Sequence, residues 1–158
     1  MIRGYDVEGE YKKFSKRLFD THDAPARTLS KMILEEQMGY RYAADHTDTY
    51  GPDLICEDDW GVRKFIECEV KNNWSGPQFP FDSVQVPERK RKFCRIPNLY
   101  FMMFNKEMDH FIWMKGADIL TSPLVEVKNK FTPSGELFFQ VPLIHTKIIR
   151  IVRRLGHD

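Results

Sequence analysis

At 158 residues, with 42% hydrophobic, 13% aromatic and 30% charged residues, the chain has the make-up of a single domain over 1–158, and disorder and low complexity are excluded as dominant themes. The net charge of +1 does not by itself announce a nucleic-acid binder. Cys56, Cys68 and Cys94 neither pair evenly nor show zinc-ligand spacing, which excludes a disulfide framework and points to reduced thiols in a cytoplasmic protein.

The chain opens on a charged segment where a signal peptide is apolar, and no run approaches the ~20 apolar residues of a membrane span. An intracellular protein with no membrane partner is expected. From Val7 to Asp20, the spacing of Tyr11, Phe14, Leu18 and Phe19 predicts an amphipathic helix whose lysines form a solvated face. Asp23-Ala24-Pro25 opens a second helix and Gly39 closes it. Leu29, Met32 and Ile33 mark its buried stripe, and Glu36 falls on the same stripe, carrying a carboxylate toward the core side. Tyr40 to His46 reads as a strand. His46, with no His or Cys at ligand spacing, reads as a polar residue near a site.

The stretch from Gly51 to Lys71 organises the rest. Leu54-Ile55-Cys56 and Phe65 to Val70 flank the turn-forming cluster Glu57-Asp-Asp-Trp-Gly61, which predicts a β-hairpin. Side chains alternate along a strand, so Phe65, Glu67, Glu69 and Lys71 share one face and Ile66, Cys68 and Val70 the other. Charges on a strand apolar enough to be central need partners or a metal. Asp53 follows Pro52 at the start of the opposing strand, and hairpin pairing brings it close to Glu69 and Lys71. Such oxygen ligands suit Mg²⁺, or Mn²⁺ in its place, with Asp53, Glu69 and the Val70 carbonyl as ligands. Lys71, roughly 6 to 7 Å beyond Glu69 along the strand, can orient a water or offset charge on a phosphate. The same residues could instead form the solvated face of an edge hairpin.

Pro52-Asp53, a spacer of 15 residues and Glu69-Val70-Lys71 resemble the PD-(D/E)xK signature of restriction-endonuclease-like nucleases. The downstream order, with a basic helix and a further strand, is similar to small phage-encoded members and phage-type resolvases of that superfamily. The resemblance implies an α/β fold with an αβββαβ core around a central mixed sheet, here with an extra N-terminal helix and a C-terminal hairpin. It further implies a metal-dependent phosphodiester hydrolase with Asp53, Glu69 and Lys71 catalytic. A glutamate from the helix before the sheet often joins such sites, which nominates Glu36, then Glu35; Glu67 is a further assisting carboxylate. A second Glu-Val-Lys, at 126–128, lacks an upstream Pro-Asp at hairpin distance.

After Lys71 comes a loop of breakers and aromatics in which Trp74, Phe79 and Phe81 either stack on bases or seal the core. Val86 to Cys94 predicts a short basic helix whose Arg89, Lys90, Arg91 and Lys92 grip phosphates. Asn98–Phe104 and His110–Met114 predict a strand pair, the first of them central. Gly116 to Ser122 turns the chain, Leu124–Phe131 and Leu137–Leu143 predict a hairpin, and His145–Leu155 is helix-compatible and ends in arginines.

The expected activity is Mg²⁺-dependent endonucleolytic cleavage of DNA, branched or single-stranded DNA among the substrates. The alternatives are a ribonuclease and a non-catalytic nucleic-acid-binding protein of the same fold. Cutting both strands of a duplex needs two sites related by a two-fold axis, which points to a homodimer.

Overall fold

A computed structural model describes residues 24–48, 50–128 and 133–152. The helix expected over Val7–Asp20, the Asp23 cap and the terminal Arg153 and Arg154 lie outside these residues.

The first helix, α1 (Ala24–Met32), runs into a π-helical turn (Ile33–Gln37). The turn is stopped at Gly39, whose φ of +77° is the left-handed conformation that glycine adopts without steric cost. Met38 N–H reaches back to the Ile33 carbonyl at 2.9 Å, a five-residue closure that widens the turn and rotates the side chains beyond it. The core contacts accordingly fall on Ile33 and Leu34, while Met32 and Glu36 are exposed. The expectation that Glu36 rides the buried stripe is thereby overturned, because it assumed an unbroken 3.6-residue period.

Three strands come next as an antiparallel meander: β1 (Arg41–Asp45), β2 (Leu54–Glu57) and β3 (Arg63–Val70). The chain then leaves the sheet through β4 (Ser83–Pro87), a 3₁₀ turn (Glu88–Lys90) and the short helix α2 (Arg91–Cys94). It returns as β5 (Leu99–Phe104), parallel to β3, and β6 (His110–Lys115) pairs antiparallel with β5. A helical turn, α3 (Gly116–Leu120), and the hairpin β7 (Leu124–Val127) and β8 (Glu136–Pro142) precede β9 (Lys147–Arg150). The result is a mixed six-stranded sheet in the order β1-β2-β3-β5-β6-β9, with a second sheet in the order β4-β8-β7.

Alternation sorts the core into two layers. Ile66, Met102, Phe104, Phe111 and Trp113 pack with Ile33 and Leu34 of the helical layer on one face. Phe65, Phe101, Met103, Ile112 and Met114 pack on the other with Val84, Val86, Phe139 and Val141 of the second sheet. The near-continuous apolar run of β5 is buried on both faces, as a central parallel strand requires.

Three expectations are corrected. Ser83–Pro87 forms a strand where only loop and helix start were read, because Val84-Gln85-Val86 has the two-residue period of a half-buried strand. Gly116–Leu120 is helical rather than a plain turn. The segment after His145 is not a helix: Lys147–Arg150 extends the sheet beside β6, and β-branched Ile148 and Ile149 suit that role.

Both outer strands are capped by the π-helical turn. His46 N–H bonds to the Asp53 carbonyl, so the Ala43 N–H one alternation away faces outward, and Glu35 Oε2 accepts it at 2.9 Å. On β9, Ile151 N–H bonds to the Asp109 carbonyl, so the flanking peptides face outward. Gln37 meets them, donating to the Arg150 carbonyl at 2.8 Å and accepting Val152 N–H at 3.0 Å.

Candidate functional site

The β2–β3 register pairs Leu54 with Ile66, and by continuation sets Asp53 across from Glu67. Asp53 is buried, and its Oδ2 accepts the Cys68 backbone N–H at 2.9 Å. That bond anchors the carboxylate one residue past its cross-strand neighbour, toward Glu69. Cys68 turns its peptide groups to the β2 side, and Lys71 N–H turns to β5 by bonding the Phe104 carbonyl. Ladder alternation therefore aims the Val70 peptide groups toward the side of Asp53, where β2 has not yet begun.

Glu69 and Lys71 share the face of Phe65, as expected, and their side chains form an ion pair at 3.1 Å. Lys71 Nζ also donates to the Gln85 carbonyl at 3.1 Å, so β4 holds the ammonium beside Glu69. Neither group is fully withdrawn, with 29% of the Glu69 side chain and 14% of Lys71 accessible, so solvent and small ions reach the pair. Glu67 is almost sealed at 1% exposure and pairs with Lys90 Nζ at 3.1 Å. The 3₁₀ turn after β4 is thus fastened directly to the acidic strand. Nearby, burial pushes the Cys94 thiol up to about 11 against the opposing pull of Lys90.

Among the described residues, no three His, Cys, Asp or Glu side chains gather closely enough to hold a metal between them. Mg²⁺ asks for less: one or two carboxylates, with waters completing its shell. Asp53 and Glu69, on one face of the β2–β3 pair, and the Val70 carbonyl are oxygen donors of the type such a shell takes.

Other sequence candidates are placed elsewhere. Glu36 is exposed on a turn packed against the Cys68 face of the sheet, opposite to Glu69 and Lys71, so it is not brought to the cluster. Glu35 on the same turn caps Ala43 instead. Trp74 is fully buried among Val84, Val86 and Phe101, with Phe79 edge-on at 5.4 Å, so it seals the core and presents no face to a base. Of the four cations from Arg89 to Lys92, three are engaged internally: Arg89 with Glu136, Lys90 with Glu67, and Arg91 with Glu88 at 2.9 Å and over the Phe139 ring. Lys92 alone of the four lacks a carboxylate partner among the described residues and lies over the Phe93 ring. Sequence reasoning missed Gln85 and the Glu67–Lys90 pair because both depend on β4. The alternation of Val84 and Val86 was the available signal.

No helix of the described residues is long and apolar enough to cross a membrane. Comparison of the chain with protein families, with curated proteins and with solved structures finds no match.

Proposed function

We propose that this protein is a divalent-metal-dependent nuclease that hydrolyses phosphodiester bonds in DNA, with Asp53, Glu69 and Lys71 as its catalytic residues. The observation that carries the reading is the meeting of a buried Asp53, a solvent-reached Glu69 and a tethered Lys71 on one face where β2 and β3 separate. The element order is in keeping with it: a helix and a three-stranded meander precede a crossover, through β4 and the short α2, to a strand parallel to β3.

Mg²⁺ or Mn²⁺ held by Asp53, Glu69 and the Val70 carbonyl would supply a polarised phosphate and an acidified water. The chain's own contribution is positional. The Cys68 N–H fixes Asp53, and the Gln85 carbonyl holds the Lys71 ammonium where it can stabilise charge developing on a phosphate oxygen. Glu67, sealed at 1% exposure and paired with Lys90, supports the strand beneath.

The test is cleavage of supercoiled, branched and single-stranded DNA and of RNA, with Mg²⁺, Mn²⁺ or EDTA, by the wild type and by Asp53→Asn, Glu69→Gln and Lys71→Met. Cutting that needs metal and is lost in all three variants is expected. Equal cutting by the variants removes the assignment. No cutting of any substrate by the wild type leaves a non-catalytic nucleic-acid-binding protein, and preference for RNA makes it a ribonuclease. Cutting both strands at one position, together with a two-fold oligomer in solution, would bear on the homodimer.

A further inference from the structure

We propose that the cleft beside Asp53 is a binding subsite for a single unpaired nucleotide, so that the substrate is single-stranded or branched nucleic acid rather than uninterrupted duplex. The proposal rests on the nuclease reading for its biological sense and on the cleft for its physical basis. The cavity, about 330 Å³, is lined by His46, Tyr50, Gly51, Phe65, Lys92 and Ile96 among others, and Pro52 joins its wall directly to Asp53. Its size falls at the lower end of small-molecule pockets, which suits one nucleotide and not a helix.

The wall is preorganised by its own hydrogen bonds. His46 Nδ1 accepts the Asp48 N–H at 3.1 Å, so the neutral ring carries its hydrogen on Nε2. The ring is held edge-on to Phe65, with centroids 5.7 Å apart. Asp48 is a carboxylate in this wall; its Oδ1 accepts the Tyr50 N–H at 3.0 Å, which ties Tyr50 to the wall. Gly51 gives this wall its room: a Cβ would come within 3.1 Å of the His46 ring and 3.2 Å of Asp48 Cβ, so those side chains would have to give by a few tenths of an ångström.

Three chemistries therefore converge on one small space: an aromatic ring that is 69% exposed at Tyr50, a ring N–H donor at His46, and the ammonium of Lys92. An exposed aromatic beside a cation is what holds a base by its face and its phosphate by charge, and every base has a face. A paired base inside a helix cannot offer that face without leaving its stack.

The experiment uses the full chain with oligomers of about eight nucleotides carrying one 5-bromouracil, as DNA and as RNA, with Ca²⁺ in place of Mg²⁺. Photocrosslinked peptides are mapped by mass spectrometry, and affinity is read by fluorescence anisotropy. Crosslinks at His46 or Tyr50 are expected, together with roughly tenfold weaker binding in Tyr50→Ala and in Lys92→Ala and weaker binding of the matching blunt duplex. Trp60, 89% exposed at the β2–β3 hairpin tip, serves as the control aromatic through Trp60→Ala. Crosslinks confined to Trp60 or to another surface, variants that bind like wild type, or a preference for duplex would overturn the proposal. Cleavage by the wild type with crosslinks elsewhere removes the cleft and spares the nuclease reading. Crosslinks in the cleft from a protein that never cleaves do the reverse.

Discussion

Glu67 and Lys90 form an ion pair at 3.1 Å with 1% and 11% of their side chains accessible, and it ties the central strand of one sheet to the turn that leaves the other. Removing one partner of a buried pair strands a charge and costs about 3–5 kcal/mol. Lys90→Met should lower the unfolding free energy, read from urea titration, by that order. Glu67→Leu with Lys90→Met should regain most of the loss, since the double change removes both charges of the pair together. A double variant no more stable than Lys90→Met would mean that the pair's neighbours also depend on its charge.

Lys71 sits beside Glu69 and so opposes a cation arriving at the same carboxylate. Lys71→Met should therefore bind Mn²⁺ at least as tightly as wild type while losing cleavage. Asp53→Asn should lose both. Titration calorimetry separates these outcomes, and weaker Mn²⁺ uptake by Lys71→Met would show that the lysine organises the ligands rather than serving the phosphate.

Burial pushes the thiols of Cys56 and Cys94 from 9.0 up to about 11. With folded values above unfolded ones, the unfolded chain releases its protons first as pH rises, so stability is full below about 9 and is lost progressively toward 11. Tyr40, raised first by burial, acts in the same direction. Urea midpoints should fall between about pH 9 and about pH 11, the window bounded by those values. The fall should shrink in Cys56→Ala/Cys94→Ala, whatever the variant's lower starting stability. An unchanged slope would assign the alkaline loss to other groups.

Gln37 makes two hydrogen bonds to the outward peptides around β9, and Gln37→Ala should cost about 1–2 kcal/mol. Light scattering on partial denaturation should rise more than in Met32→Ala, a neighbouring exposed change, because an unpaired strand edge templates pairing with other chains. Equal scattering would show that β9 is protected by something else.

The hairpin was legible because its signals are local: alternation along Phe65–Lys71 sorted the faces correctly, and Asp-Asp-Trp-Gly marked the reversal. Pairing of Asn98–Phe104 with His110–Met114 was legible for the same reason. The failures depended on partners distant in sequence. Glu36 was misplaced because a π-helical turn changes the period that amphipathicity assumes. That Arg89 and Lys90 are engaged with Glu136 and Glu67 was not legible, because those acceptors come from β8 and β3, which no local pattern brings alongside. Lys147–Arg150 read as helix-compatible because four residues settle no period, and only the open edge of β6 decides it.

Since Glu35 and Gln37 stand two residues apart on one turn yet serve strands at opposite margins of the sheet, the two margins share a single latch. Fraying of that turn would bare both rims at once, so the lag time of any intermolecular β-association should track one local opening equilibrium rather than two independent ones. Amide exchange at Ala43 and Val152 would then proceed at matched free energies, although more than a hundred positions separate them along the chain.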